Sequence, residues 1–415
     1  MGAAVGQTPE ILWRRLNFDP EAGSARVAAE EQAMADTAET LFPPDAEEAY
    51  QTGLLPAQHL KALIERREVR ATLPIEPDQL QPASIDLRLG SRAWRVRASF
   101  LPGPSASVQD RIGALAMHQF ELTEAGAVLE RGCVYIVELI ESLALRKRTS
   151  AIANPKSSIG RIDVFTRLIT DQATEFDQVR ANYHGPLFAE ISPRTFSILV
   201  RRGDRLNQIR IKRGTPLSSD DAMRRLHERD GLVDTEIERD EIRRGIPVTV
   251  DLTGDGEGSI IGFRARKHAD LIDLRKLGHY EVADFWYPLH ASRDRTLLLD
   301  PDEFYILASK EQVRVPPDHA AEMRAYDVGM GEFRVHYAGF FDPGFGHSEA
   351  DAEGTRAVLE VRSHEVPFVL ADGQRVVKLI YERLVARPDR LYGADIGSSY
   401  QRQGLKLSKH FKPSN

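Results

Sequence analysis

The sequence predicts a mainly β protein with a few short helices, built from two tandem copies of one all-β module. Between residues 93 and 211, short apolar segments alternate with Gly, Pro, Asn and Asp, which is typical of an all-β domain. Similar segments resume after a glycine-rich stretch at Gly254–Ser259 and continue to about Leu384. In addition, the two halves of the chain align with each other at one constant offset.

Length and composition restrict the function classes. With 415 residues, 42% hydrophobic and 28% charged, the chain is expected to form two globular domains, each with its own core. A net charge of −7 argues against a protein that binds nucleic acid through phosphate contacts, but allows a local basic pocket. No apolar run is long enough to span a membrane and no signal peptide is evident, so we expect a cytoplasmic protein.

The only cysteine is Cys133. A single cysteine excludes an internal disulfide and a cysteine-based zinc site.

The N-terminal part of the chain begins with an extension. Residues 1–44 are rich in Ala and Glu and end at a Pro-Pro pair, so we expect a marginal helix or a disordered segment. Apolar residues at helical spacing predict a short helix within 53–67, and the alternation of Ile85, Leu87 and Leu89 predicts a strand. Further strands are predicted at Cys133–Leu139, Gly185–Ile191 and Phe196–Val200.

A charged linker follows the first group of strands. Ser218–Arg244 is strongly charged, with Ser219 as a plausible helix cap, and we predict helical structure there. We assign residues 45–250 to the first module with its helical linker. Residues 251–415 then form the second module with its C-terminal tail.

The internal repeat rests on four pairs of landmark residues, each 170 positions apart: Tyr135 and Tyr305, Glu141 and Glu311, Glu190 and Glu360, and Gly203 and Gly373. Four matches with no net insertion indicate duplication of one module. The alternative is that two unrelated β domains share a common strand-and-turn pattern.

The first candidate site lies in the sequence NPKSSIGR, which contains Lys156, Ser157, Ser158 and Arg161. Serine hydroxyls and backbone N–H groups at a turn can surround phosphate oxygens, and an arginine adds a two-pronged charge-assisted bond. An ordinary solvated turn is the alternative. At the same offset of 170, the second half has Asp327, Val328 and Gly331 in place of Ser157, Ser158 and Arg161, and has therefore lost this cluster.

The second candidate site is the sequence YAGFFDPGFG at Tyr337–Gly346. Its Asp-Pro-Gly sequence predicts a tight turn, and Gly339 and Gly344 would let the backbone approach a ligand closely. The first half has the unrelated sequence of residues 167–177 at this place. Because each half lacks what the other has, we expect the two halves to contribute different parts of one site.

These motifs in this order resemble the dCTP deaminase branch of the trimeric dUTPase superfamily. NPKSSIGR resembles the family's phosphate and active-site motif, and HYAGFFDPGFG resembles its Asp-Pro-Gly segment. AVLEV resembles the strand that carries the family's catalytic glutamate. QPASIDLRLG resembles its N-terminal strand, and YQRQGLKLSK the tail that closes over the bound nucleotide, although Ser399 replaces a lysine usual there. The duplicated length resembles a long bacterial form.

The resemblance implies dUTPase-like modules, which are distorted, jelly-roll-like β-barrels, and a homotrimer of two-module chains. It assigns catalytic roles to Glu360 or Glu190, with Ser157 holding the water and Arg161 keeping the glutamate ionised. Which glutamate acts is left open. The implied nucleotide-binding residues are Lys156, Ser158, Ala338, Gly339, Phe341, Asp342, Gly344, Phe345, Tyr400 and Gln403.

The implied reaction is hydrolysis of dCTP to dUTP and ammonia, which leads towards dUMP and thymidylate. Water attacks C4 of cytosine, and one buried carboxylate moves the protons. Zinc deaminases use a His/Cys/Cys site that a single cysteine cannot build, so we expect a metal-free centre, with Mg²⁺ only on the substrate triphosphate. The alternatives are a dUTP diphosphatase, an enzyme with both activities, or a nucleotide-binding regulator without catalysis.

Three histidines near the second motif, His336, His347 and His364, are expected to be ordinary surface or core histidines.

Overall fold

A computed structural model describes residues 51–216, 219–325, 333–335, 339–347, 354–363, 365–393 and 404–413. The predicted extension at 1–44 and the residues Ala338, Ser399, Tyr400 and Gln403 lie outside these ranges. The chain separates into two units between Gln51 and Thr52, and the fold is that of Thr52–Asn415. In the described part of the chain, no helix combines the length and apolar character needed to cross a membrane.

The first half contains twelve strands among the described residues. They are β1 Gly53–Leu54, β2 Val69–Ala71, β3 Ile85–Val96, β4 Ala116–Glu121, β5 Ala127–Leu129, β6 Val134–Ala144, β7 Thr149–Pro155, β8 Val164–Thr170, β9 Gln178–Val179, β10 His184–Pro193, β11 Ile198–Val200 and β12 Arg205–Arg213. The helices are α1 Ala57–Glu65, α2 Val108–Leu115 and α3 Ser157–Gly160, with a 3₁₀ turn at Pro77–Gln79.

The second half repeats this arrangement with α4 Asp220–Asp230 and α5 Val282–Phe285. Its described strands are β13 Ile246–Thr249, β14 Ile260–Ala265, β15 Ile272–Asp273, β16 Trp286–His290, β17 Thr296–Leu299, β18 Phe304–Val313, β19 His319–Ala325, β20 Phe333–Val335, β21 Phe340–Phe341, β22 Thr355–Ser363, β23 Phe368–Ala371 and β24 Arg375–Arg383.

The strand order is similar in the two halves. The first forms a barrel-like sheet in the order β8-β10-β6-β3-β12-β7-β9, and the second forms sheets in the orders β16-β14-β18-β22-β20 and β13-β24-β19-β21. The small sheets β15-β11-β5 and β17-β23 complete the fold. The mainly β prediction is therefore confirmed, and so are the predicted strands and the short helix within 53–67.

Strand register repeats between the halves with the predicted offset. Glu190 faces Ile136 and Glu360 faces Ile306, so both partners differ by 170. The hydroxyl groups of Tyr135 and Tyr305 each accept a bond from the backbone N–H five residues earlier.

The helical linker is shorter than predicted. Ser219 caps α4, and its Oγ accepts a hydrogen bond from the Ala222 N–H. The prediction of helical structure to Arg244 is wrong, because α4 ends at Asp230, where Gly231 has φ 56° and terminates it. Met223 and Leu226 pack into the second of two large hydrophobic clusters, whereas the predicted boundary at 250 assigned them to the first module.

The first of the two clusters is shared between the halves. It fills the barrel of the first half with side chains such as Leu87, Val137 and Ile191. It also contains Trp286, Ile306, Val358, Leu407 and Phe411, which come from the second half and the C-terminal tail. One face of the β18–β22 pair is therefore buried against the first half, and it carries the candidate site.

Candidate active site

Glu360 lies on β22 opposite Ile306 and is only 5% exposed. Burial raises the pKa of its carboxyl group to about 8, because desolvation penalises the charged form. The Arg161 guanidinium is close enough to lower this pKa, while the Asp163 carboxylate raises it. The structure thus brings together the strand glutamate of the second half and the arginine of the first.

Arg161 is positioned by the short helix α3. The chain leaves β7 at Pro155 and turns into α3, with Lys156 as its cap. The Arg161 Nε donates to Ser157 Oγ at 3.1 Å, and its Nη1 donates to the Lys406 carbonyl at 2.8 Å. The Arg161 guanidinium therefore bonds to Ser157 and to the C-terminal tail, and its charge acts on Glu360.

An ion pair fixes the two halves to each other beside this group. Arg362 lies two residues after Glu360, on the same face of β22, and its Nη2 donates to the Asp163 carboxylate. The same nitrogen donates to Thr195 Oγ1 at 3.1 Å. Asp163 has φ 55°, a left-handed conformation that Asp tolerates better than most residues. Because both charges are buried, loss of either would deprive the other of its opposite charge.

The C-terminal tail packs on α3. Ser408 Oγ donates to the Ser158 carbonyl at 2.7 Å, and Leu407 and Phe411 are buried in the first cluster. Residues 404–413 therefore hold the serine motif in place. Tyr400 and Gln403, the predicted nucleotide contacts of this tail, lie outside the described residues and stay predictions.

A basic cluster lies next to α3. Lys156 Nζ donates to the buried carboxylate of Asp86, and Arg205 Nη1 lies 3.9 Å from the same carboxylate. Burial lowers the pKa of Lys409, and the charges of Lys156 and Arg205 lower it further. Arg205 is also held bidentately by Asp78 at 2.9 Å. Lys156, Arg205 and Lys409 thus lie around Asp86, and Glu76 pairs with Arg205 as well. Phosphate oxygens can take the place of such carboxylates on lysine and arginine donors.

The Asp-Pro-Gly turn has mainly structural contacts. Arg210, which is fully buried on β12, donates to Asp342 Oδ1 at 3.1 Å and to the Phe341 carbonyl at 2.9 Å. Phe341 and Phe345 pack edge to face in the second cluster, with ring centroids 4.9 Å apart. Gly344 has φ 92° and makes the turn possible. The predicted nucleotide contacts of Gly339, Phe341, Asp342, Gly344 and Phe345 stay predictions, as does that of Ala338, which is not described.

Glu190 is engaged differently from Glu360. It is buried on β10 opposite Arg167, whose Nε donates to Glu190 Oε1 at 3.1 Å. The neighbouring Nη2 of Arg167 donates to the same oxygen. The Glu190 carboxylate is therefore paired with an arginine of its own half. Within the described residues, no group of three or more His, Cys, Asp or Glu side chains is arranged to hold a metal ion.

Sequence reasoning missed Asp163, Arg362, Arg210 and Lys409. All four act across large sequence separations, for example 199 residues between Asp163 and Arg362. The one available signal was position: Arg362 follows the candidate glutamate by two residues, so it shares its face of the strand.

Comparisons with known proteins identify the family. Residues 51–215 match the sequence model of the 2′-deoxycytidine 5′-triphosphate deaminase (DCD) N-terminal domain, and residues 219–411 match that of the C-terminal domain. The crystal structure of 2′-deoxycytidine 5′-triphosphate deaminase from Agrobacterium tumefaciens is similar, with 53% sequence identity and a TM-score of 0.76. The match covers 80% of this chain and 99% of that one.

Curated relatives are more distant. A dCTP deaminase from Haloarcula marismortui is 29% identical over 197 residues, which is 46% of this chain and 93% of the relative. A dUMP-forming dCTP deaminase from Halobacterium salinarum is 35% identical over 109 residues, which is 26% of this chain and 52% of the relative. With both domain models and a structural match over 80% of its length, the chain belongs to the 2′-deoxycytidine 5′-triphosphate deaminase family.

Proposed function

We propose that this chain hydrolyses dCTP to dUTP and ammonia, with Glu360 as the acid–base residue. The observation that carries the proposal is the position of Glu360: a buried carboxyl group with a pKa of about 8, next to Arg161 and the serine motif of the other half. Family membership supports the reaction, since the similar structure from Agrobacterium tumefaciens is named for it.

The proposed steps follow from the site. Glu360 takes a proton from a water that Ser157 orients, and the oxygen adds to C4 of cytosine. The proton passes to the 4-amino group, which leaves as ammonia, and the second water proton ends on N3 of uracil. A pKa near the working pH suits a group that first accepts and then donates a proton. Arg161 favours the ionised carboxylate at the start of the cycle.

The triphosphate is proposed to bind at the basic cluster of Lys156, Arg205 and Lys409. Phosphate oxygens are strong acceptors, and lysine and arginine donors form charge-assisted bonds with them. Mg²⁺ is proposed to arrive with the triphosphate as part of the substrate, since it usually binds through substrate phosphates and retains waters. We also propose that the deamination uses no zinc; the single cysteine, Cys133, is consistent with this.

A duplication is proposed as the origin of the two halves, supported by the shared offset of 170 in the partners of Glu190 and Glu360. We further propose that three chains assemble, because the resemblance to the trimeric dUTPase superfamily implies a threefold ring, which closes by rotational symmetry. An exposed apolar pair, Leu298 and Val369, supports self-association: the two face each other on β17 and β23 and are 54% and 59% exposed. Val369→Glu is expected to reduce the mass of the assembly in analytical ultracentrifugation.

One experiment separates the candidate activities. The purified chain is incubated with dCTP and Mg²⁺, and ammonia and pyrophosphate are measured separately. Ammonia without pyrophosphate is the expected result. Equal amounts of both would indicate the dUMP-forming reaction for which the Halobacterium salinarum relative is named. Neither product, despite nucleotide binding, would contradict the proposal.

A further inference from the structure

The first half has a counterpart of the Glu360 face, and it is closed. Strand pairing places Ile136 opposite Glu190, as Ile306 lies opposite Glu360. Side chains two residues apart share a face, so Phe188 corresponds to Val358. In the second half this face packs into the shared cluster. In the first half it packs into a separate small cluster with Trp94 and α2.

The connection between β3 and β4 covers this face. Val108 and Ile112 of α2 are 0% and 2% exposed and lie in the small cluster with Ile136 and Phe188. Phe100 packs against the same cluster. The Glu190 face is therefore covered by a segment of its own half, whereas the Glu360 face packs against the other half of the chain.

Arg167 fills the space in front of Glu190. Its guanidinium lies over the Phe176 ring at 3.6 Å from the centroid and 4.7 Å from that of Phe165. Two of its nitrogens donate to Glu190 Oε1, and Nη2 also donates to Ser99 Oγ at 2.9 Å. The other oxygen of Glu190 is buried and has no hydrogen-bond partner among the described residues. A planar cation with N–H donors is stacked on aromatic rings and bonded to a carboxylate.

This arrangement has the chemistry of base recognition. Cytosine is also planar, presents an N4 amino donor on its edge, and stacks on aromatic rings. We propose that the first half contains a closed counterpart of the catalytic pocket, in which the Arg167 guanidinium takes the place of a pyrimidine base. Each chain therefore has one nucleotide site, and removal of Arg167 opens a second one for a cytosine nucleotide. The inference rests on the proposed function, because it takes the Glu360 face as the nucleotide pocket.

The test counts bound nucleotide. Equilibrium dialysis with labelled dCTP and Mg²⁺ uses Glu360→Gln, which prevents turnover, with and without Arg167→Ala. The chain with Arg167 is expected to bind one nucleotide per chain. The chain with Arg167→Ala is expected to bind two, the second more weakly because the hydroxyl–arginine cluster is missing there. Arg92→Ala is the matched control, since Arg92 forms an exposed pair with Glu138 at 2.7 Å and lies near an aromatic ring; it should leave one site.

The inference would be overturned if the chain with Arg167 bound two nucleotides. It would also be overturned if a folded Arg167→Ala chain still bound only one. If Arg167→Ala does not fold, Arg167→Gln replaces it, because glutamine keeps a polar group beside Ser99 but removes the stacked guanidinium. In addition, the number of nucleotides bound by the chain with Arg167 tests the closed pocket without any change at that residue. Failure of the proposed function looks different, because the chain with Glu360 would then release no ammonia from dCTP, whatever the number of bound nucleotides.

Discussion

Arg161 and Glu360, which are 199 residues apart in the sequence, interact across the two halves. Arg161 follows helix α3 of the first half, and its charge lowers the pKa of Glu360 on β22 of the second. Burial acts in the opposite direction and dominates, so the pKa is about 8. The pKa of the proposed acid–base residue, Glu360, is therefore lowered by an arginine of the other half.

The pH dependence of the reaction should report this interaction. In kcat/KM, which reflects the free enzyme, we expect a rising limb near pH 8 as Glu360 loses its proton. Arg161→Gln removes the cation and should move this limb to higher pH. Arg161→Lys is the control, because it keeps the charge and should shift the limb less. An unchanged limb in Arg161→Gln would contradict the assignment of the titration to Glu360.

Stability should also depend on the Glu360 proton. Its pKa is raised from an ordinary value of 4.5 to about 8, so the folded chain binds the proton more tightly than the unfolded chain. The free energy of unfolding therefore decreases as pH rises between these values. Glu360→Gln lacks this decrease and should be more stable than the parent at pH 9, by about 1–3 kcal/mol, with little gain at pH 4. Thermal melts over this range measure it, with Glu138→Gln on β6, which is half-buried and paired with Arg92, as the control.

The Asp163–Arg362 pair should contribute strongly to stability. Removing Arg362 takes the paired cation away from the buried Asp163 carboxylate, which costs about 3–5 kcal/mol. We expect Arg362→Met to lower the urea midpoint accordingly, and Asp163→Asn in the same chain to recover part of the loss. Arg92→Ala, at an exposed pair, should cost less than about 1 kcal/mol. An Arg362→Met chain as stable as the parent would contradict the described network.

Lys409 should act on the triphosphate. Lys409→Met keeps the side-chain length but removes the charge, and we expect KM for dCTP to rise about tenfold or more with a smaller change in kcat. The increase in KM should be smaller at high salt, because screening already weakens the attraction between Lys409 and the phosphates in the parent chain. Lys412→Met is the control, because Lys412 pairs with Glu281 at the surface. Equal effects of the two variants would argue against the phosphate cluster.

The sequence predicted the strands because alternation and turn residues are local signals. Ile85, Leu87 and Leu89 do lie on one buried face of β3. The linker was predicted too long because charge alone does not sustain a helix: Gly231 ends α4 in a left-handed conformation.

The site was predicted in part. Arg161 donates to Ser157 and lowers the pKa of Glu360. The motif resemblance had marked these three residues. The contacts of Arg167 with Glu190 and of Arg362 with Asp163 were not foreseen. They depend on strand register and on packing between the halves, which no local pattern encodes. The identity of the catalytic glutamate was accordingly left open by the sequence.

Ammonia release from dCTP by Glu360→Gln and Glu190→Gln, measured side by side on folded protein, shows which glutamate is the acid–base residue. We predict that Glu360→Gln lowers kcat by about 10³-fold or more while dCTP still binds, because the proton-transferring carboxylate is lost. Glu190→Gln is predicted to keep most of the activity, because its carboxylate pairs with Arg167. An active Glu360→Gln chain together with an inactive Glu190→Gln chain would contradict the account.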